Sequence, residues 1–239
     1  MANISWFSCG VASAIATKLL LQSYQDVRII YIHLGGESSD NVRFLKDCEN
    51  WYNHPIEIIE PTFAKSHFEV IEKCRCINTP YGAPCTLKLK KQTRWQIEDK
   101  IRFWDFQALG YDITEKHRAE RFKEQYPKAK AKFPLIEAGL SKQDAQALLI
   151  KARIEIPLLY RQGFMNNNCI GCVKGGKGYW ARIRKFYPDK FKRMEQLEIE
   201  LGHTCLNGMY LRDLPKNYPM NKPIVPSCSL FCDPDFMTI

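Results

Sequence analysis

Short apolar runs alternate with amphipathic ones through the first half of the chain, the pattern of a parallel sheet flanked by helices. Residues 4–7 and 27–34 read as strands, 56–59 as a short third and 103–109 as a fourth. Between them, 11–24 and 40–52 have helical periodicity, and 88–100 reads as a basic helix after a turn containing Pro80, Gly82 and Pro84. Helices are also expected over 114–125 and 141–151, the second with Ser141 as N-cap and Asp144 at its third helical position. After Pro157 the texture changes: Asn, Cys, Gly and Lys dominate 166–178, which is loop chemistry. Helices are expected at 179–187 and 190–201. From Pro215 on, five of the thirteen prolines point to an extended tail laid over the domain.

The length of 239 residues suits one α/β domain, residues 1–157, with a Cys-containing extension over 158–239 packed on it. With 45% hydrophobic and 26% charged residues the chain can bury a sizeable core, which excludes disorder as the default. No apolar run approaches the ~18 residues needed to cross a bilayer. The first ten residues lack the basic and apolar stretches of a secretory signal, so the expected location is cytoplasmic, with no membrane partner. There, ten cysteines stay reduced unless a metal or a redox cycle uses them. A net charge of +9 suits anionic partners (phosphates, nucleotides or nucleic acid), although a solvated basic surface gives the same surplus.

Ser8-Cys9-Gly10-Val11-Ala12-Ser13 lies between the first strand and the first helix. Such a turn exposes backbone N–H groups, the helix N-terminus adds a positive dipole end, and serine hydroxyls can donate as well. An ordinary strand-to-helix turn is the alternative. The spacing resembles the PP-loop pattern S-G-G-x-D-S, with Ser8, Gly10 and Ser13 matching, whereas Cys9 replaces a glycine and Ala12 the aspartate. The missing aspartate leaves ATP hydrolysis open.

Four further stretches occur in one order: Pro134-Leu135-Ile136, Leu140-Ser141-Lys142-Gln143-Asp144, Ile156-Pro157-Leu158-Leu159-Tyr160-Arg161-Gln162-Gly163-Phe164 and Cys169-Ile170-Gly171-Cys172-Val173. Their order resembles that of the phosphoadenylyl-sulfate (PAPS) and adenylyl-sulfate (APS) reductases of the PP-loop superfamily. Pro84-Cys85-Thr86-Leu87-Lys88 is similar to those enzymes' C-C-x-x-R-K-V helix, and Ser227-Cys228-Ser229-Leu230-Phe231 to their E-C-G-L-H tail. Leu140-Ser141 stands for W-T, Arg161 for the usual Asp, Pro84 for one cysteine of a pair, and Ser227 and Phe231 for the flanking Glu and His.

The resemblance implies a doubly wound, Rossmann-like sheet with an adenine nucleotide (ATP, PAPS or APS) at the carboxyl ends of the strands. Ser8, Cys9, Gly10, Val11 and Ser13 would hold its phosphates. The turn from Gly110 to Glu115, followed by Arg118 and Arg121, lies where relatives place a second nucleotide loop. A solvated basic helix face is the alternative for the two arginines. Lys88 and Arg118 would supply charge near the chemistry, and Cys228 the thiolate nucleophile.

The metal reading stays open in three ways. Cys85, Cys169 and Cys172 map onto three of four 4Fe-4S ligands in the APS reductases, with Cys232, another cysteine or an exogenous ligand as the fourth. Cys169-x₂-Cys172 with Cys228-x₃-Cys232 also has the spacing of a structural zinc site. A redox dithiol without metal is the third. Cys48 is expected to be packed, Cys74 and Cys76 are ambiguous, and Cys205 is unassigned. The basic and aromatic run from Lys174 to Lys185 could hold nucleic acid, or pack Tyr179, Trp180 and Ile183 inward with its charges solvated.

Three functions follow. The first is sulfonucleotide reduction or sulfur transfer through a cysteine, with a thioredoxin-like thiol reductant. The second is ATP-dependent thiolation of a nucleic acid. The third is a degenerate, non-catalytic nucleotide-binding accessory protein of phage, plasmid or type IV CRISPR systems. A homo-oligomer is compatible with each.

Overall fold

The computed structural model describes residues 3–101 and 103–226. Its strands β1 (Asn3–Phe7), β2 (Val27–Ile32), β3 (Ile56–Ile59) and β4 (Gln107–Leu109) are all parallel, in the order β3-β2-β1-β4. Successive strand residues point to opposite faces, and both faces are covered. Phe7, Ile29, Tyr31 and Ala108 pack on one side with α1 (Val11–Ser23), α2 (Asn41–Tyr52) and α7 (Lys142–Lys151). Ile4 and Ile30, with Trp6, Ile32 and Ile59, pack on the other with Ile97 and Ile101 of α4 (Gln92–Ile101). The fold is therefore a doubly wound α/β sheet. The chain runs outward from β1 to β2 and β3, then returns through α4 to place β4 on the other side of β1. That reversal opens a crevice at the carboxyl ends of β1 and β4.

The fourth strand is shorter than its apolar run suggests. Pairing with β1 begins only at the Phe106 carbonyl, which accepts from Ile4 N at 3.1 Å, and Phe103 is left 71% exposed. The basic helix starts two residues early, as a π-helical stretch from Thr86 to Lys91 that runs into α4. An additional helix, α3 (His67–Cys74), spans only eight residues and buries Phe68, Val70 and Ile71; Ser66 caps it by accepting from Glu69 N at 3.3 Å. α5 (Lys116–Gln125) follows a single 3₁₀ turn, and α6 (Pro134–Glu137) precedes α7. At α7 the Ser141 hydroxyl accepts from Asp144 N at 3.2 Å while the Asp144 carboxylate accepts from Ser141 N at 2.8 Å, a reciprocal cap.

Beyond Pro157, the short α8 (Leu158–Arg161) leads to α9 (Lys177–Phe186) and α10 (Pro188–Leu201). Trp180, Ile183, Phe191, Met194 and Leu197 form a second core that takes in Phe68 and Ile71 of α3, with Ile77 and Ala83. The extension is thus packed on residues far earlier in the chain. Arg184 donates to the carbonyls of Leu214 (2.7 Å), Pro215 (2.6 Å) and Lys216 (3.0 Å), and Arg182 to those of Gln162 (2.7 Å) and Asn221. These two guanidinium groups strap the segment after Pro215 across α9; through residue 226 it has no helix or strand.

Gly110, one residue past β4, lies directly on the first turn of α1. A Cβ there would stand 2.6 Å from both the N and Cα of Ser13. We expect Gly110→Ala to push β4 off α1 and cost about 1–3 kcal/mol in urea unfolding, the usual penalty of overpacking. Gly176→Ala, where nothing lies within 4 Å, should cost far less. Equal losses would mean that the close approach at Gly110 is not what sets its stability.

Candidate functional site

β1 ends at Phe7 and α1 begins at Val11, so Ser8, Cys9 and Gly10 make the turn at the crevice. Cys9 sits at φ 52°, the left-handed region that favours glycine. Its side chain is fully buried, and burial followed by the charge of Glu37 pushes the thiol far above its ordinary range. Cys9 therefore offers a ligand only its backbone, and its carbonyl already accepts from Asn167 Nδ2 at 2.6 Å. Val11 is buried beneath the turn.

The turn is tied to itself through Ser13. The Ser13 hydroxyl accepts from Ser8 N (3.1 Å) and Gly10 N (3.3 Å), meets Ser8 Oγ at 3.0 Å, and donates to the Gly10 carbonyl at 2.9 Å. An incoming anion would compete with that hydroxyl for the same amides. Tyr160 Oη lies beside the turn, 3.4 Å from where a Gly10 Cβ would stand, and burial pushes its phenol up to about 12.

A hollow of about 350 Å³ opens over this turn, lined by Ser8, Gly10, Ser13, Gly110, Glu115 and Arg118 among others. It runs into a second of about 650 Å³ that holds Cys85, Cys169, Cys172 and His67. The two share Trp6, Leu34, Lys90, Lys91, Arg94 and Tyr111, so they form one cleft. Arg118 is paired with Glu115 and stacks 4.6 Å above Tyr111; Arg94 is paired with Glu98 at 3.1 Å. Among the described residues, Lys90, Lys91 and Lys174 have no acidic partner within ion-pair reach, and their charge faces the cleft uncancelled.

Two of the expected cations lie elsewhere. Lys88 extends over the Phe63 ring at 4.9 Å and does not line the cleft, and Arg121 is exposed on α5 outside the lining. A π-helical turn advances each residue through a smaller angle than an α-helical one. It brings Lys90, Lys91 and Arg94 to the cleft in place of Lys88.

Cys169 and Cys172 close a tight turn, with Cys172 N donating to the Cys169 carbonyl at 3.1 Å and Gly171 at φ +88°. Tyr179 locks it: its hydroxyl accepts from Gly171 N (3.0 Å) and Cys172 N (2.9 Å) and donates to the Cys169 carbonyl (2.8 Å). Ile170 N donates to the Gly36 carbonyl at 2.7 Å, pinning the turn to the segment after β2. Burial pushes the Cys169 thiol up to about 12 and raises Cys85, whose next cause is the charge of Cys172; Lys90 opposes both shifts. Among the described residues, no three His, Cys, Asp or Glu side chains are grouped to hold one metal ion. Cys228 and Cys232 lie outside the described residues, and with them half of the four-cysteine zinc set. Cys48 is fully buried, its thiol pushed up to about 12 by burial.

Within the run from Lys174 to Lys185, Trp180 and Ile183 are fully buried, and the arginines serve as straps. Only Lys174 of that run lines the cleft at the cysteines.

Two cleft residues carry no sequence signal beyond following a strand or opening a short helix. Glu37, after β2, has its side chain 7% exposed, accepts from Tyr31 Oη and from Leu34 N at 3.2 Å, and is raised by burial above the usual carboxyl range. His67 opens α3 and is held neutral, its pKa lowered to about 4 by burial, with the Gly171 backbone opposing the fall.

No protein-family model matches the chain, and no curated protein matches it. Among solved structures, it is similar to the U34-tRNA thiolase NcsA from Methanococcus maripaludis with its 4Fe-4S cluster. That likeness has 13% identity and a TM-score of 0.42, over 93% of this chain and 83% of that one. So distant a likeness leaves the fold resting on the sheet order and the chemistry on the residues of the cleft. No described helix is long and apolar enough to cross a membrane.

Glu37 has a raised carboxyl in the folded state, so the unfolded chain gives up that proton at lower pH. Its contribution to stability is lost as pH rises from the ordinary carboxyl value through the raised one. Glu37→Gln cannot ionise, so urea midpoints of the two proteins should draw together in acid and separate toward neutral pH, with the variant higher. Parallel midpoints at all pH values would mean that Glu37 ionises as it does unfolded. Tyr179→Phe strips a partner from the buried amides of Gly171 and Cys172, and should cost about 1–3 kcal/mol. Hydrogen exchange should quicken at those two amides first; unchanged exchange there would release Tyr179 from this role.

Proposed function

We propose that this protein is an adenine-nucleotide-dependent sulfur-transfer enzyme of the PP-loop type. One observation carries the reading: the Ser8–Ser13 turn and Cys85, Cys169 and Cys172 open onto one cleft with a shared cationic wall. Nucleotide phosphates sit at the turn, over the N-terminus of α1, with Lys90, Lys91, Arg94 and Arg118 neutralising their charge. The apolar strand ends at Trp6, Ile32 and Leu34 leave a wall on which a base can pack. Glu37, whose carboxyl burial raises above its ordinary range, lines the same end of the cleft.

Cys85, Cys169 and Cys172 would hold an iron–sulfur cluster. The donor set fits: three thiols line one hollow, and Lys90 and Lys174 stand ready to offset thiolate charge. When bound, such a cluster supplies iron that binds sulfur or passes an electron. Cys228 is the nucleophile of this reading. Its thiolate attacks the sulfur of the sulfonucleotide, an S–S bond forms, the S–O bond to the nucleotide breaks, and the nucleotide phosphate leaves. A thioredoxin-like dithiol then releases sulfite and is itself oxidised to a disulfide.

The unpaired lysines also suit a second reading, ATP-dependent thiolation of a nucleic acid, in which ATP adenylates the target and sulfide displaces AMP. A nucleotide bound without turnover would point to the accessory-protein reading instead.

Gly10→Asp separates these readings from a misfolded protein. Gly10 has an extended backbone at the N-cap, its Cβ position meets only ordinary contacts, and Asp is a favoured cap. The variant should fold normally while its carboxylate repels phosphate, weakening ATP and PAPS binding by at least about 100-fold in calorimetry. Sulfite release from PAPS with a dithiol should be lost in Cys228→Ser with nucleotide affinity unchanged. AMP release that requires sulfide and RNA would select thiolation. Unchanged affinity in Gly10→Asp would remove the turn from the site.

A further inference from the structure

His67 is 2% exposed, and neither ring nitrogen makes a hydrogen bond of full geometry, although the Gly171 backbone lies close enough to act on the ring. A buried ring without a full hydrogen bond leaves an imidazole nitrogen able to take a ligand from outside the chain. Packing holds the ring in place. It packs on Phe68 with centroids 4.2 Å apart, and two glycines give it room. A Cβ on Gly36 would stand 2.4 Å from Nδ1, and one on Gly171 3.5 Å from Nε2. The same Gly36 position lies 3.8 Å from the Cys169 Cβ, which puts the cysteine beside the ring. Cys85 and Cys172 complete the lining of this hollow.

We propose that His67 is the fourth ligand of the cluster, joining the thiolates of Cys85, Cys169 and Cys172 with one imidazole nitrogen. This rests on the cluster reading above. The four donors do not form a preformed single-ion site among the described residues, whereas a cluster meets each ligand at a different iron. An imidazole adds no charge to three thiolates in a hollow already costly to ionise. It also needs no contribution from Cys232.

The test uses the full chain, purified without oxygen and loaded with ferrous iron and sulfide. Pulsed electron paramagnetic resonance of the reduced protein should show a nitrogen coupled to the cluster, and the coupling should change when histidine is labelled with ¹⁵N. In His67→Cys, iron should stay at about four per chain, since a thiolate can serve as ligand. There the nitrogen coupling should vanish, and the midpoint potential should fall as an anionic ligand replaces a neutral one. A wild-type protein with its cluster but no nitrogen coupling overturns the assignment without any variant. Coupling that survives in His67→Cys overturns it too. A wild type that takes up no iron overturns the cluster reading and this one together.

Discussion

The cleft exists because two backbones meet with nothing between them. Gly110, just past β4, lies against the first turn of α1 so closely that a methyl group would collide with Ser13. This contact lets β4 pair with β1 on the side opposite β2, and the reversal of strand order there leaves the crevice at the carboxyl ends open. On the far side of the same turn, the Ser13 hydroxyl gathers the amides of Ser8 and Gly10. Cys9 stays in a left-handed conformation with its side chain locked in the core. These bonds fix the shape of the turn from within the chain.

The cysteine end depends on a different set of distant segments. The turn from Cys169 to Cys172 is held by Tyr179 from α9 and by the Gly36 carbonyl after β2. Cys85 reaches it from the start of the π-helical stretch, and His67 from the first turn of α3. Burial raises the Cys85 and Cys169 thiols, so ionising them requires positive charge from Lys90, Lys174 or a bound metal. Lys90 also lines the hollow over the Ser8–Ser13 turn. The cations at the Ser8–Ser13 turn and those at the cysteines therefore belong to one wall, which couples the two ends electrostatically.

Much of the scaffold was legible in the chain itself. Strand and helix periodicities are local properties, so β1, β2, β3, α1, α2 and α7 follow from the apolar pattern, and the Ser141 cap from residues three apart. The strand-to-helix turn at Ser8–Ser13 was visible because it is contiguous, and Cys169 with Cys172 because their spacing is short. Lys88 was a candidate through the family resemblance of the stretch from Pro84 to Lys88; the π-helical stretch carries Lys90, Lys91 and Arg94 to the cleft instead. The arginines at 182 and 184 looked available to phosphate, yet their partners are carbonyls some 20 to 39 residues away in sequence.

The sequence by itself determined the alternation of elements, the strand–turn–helix that can receive an anion, and the supply of thiols and cations. Only the tertiary structure decided which of them share a cavity. Glu37 and His67 show why: each is one polar residue in an unremarkable local context. Their significance lies in burial, in neighbours from β2, α3 and the turn after α8, and in whether a partner is present. Those are properties of atoms that meet only when the chain closes on itself, and no local pattern encodes them.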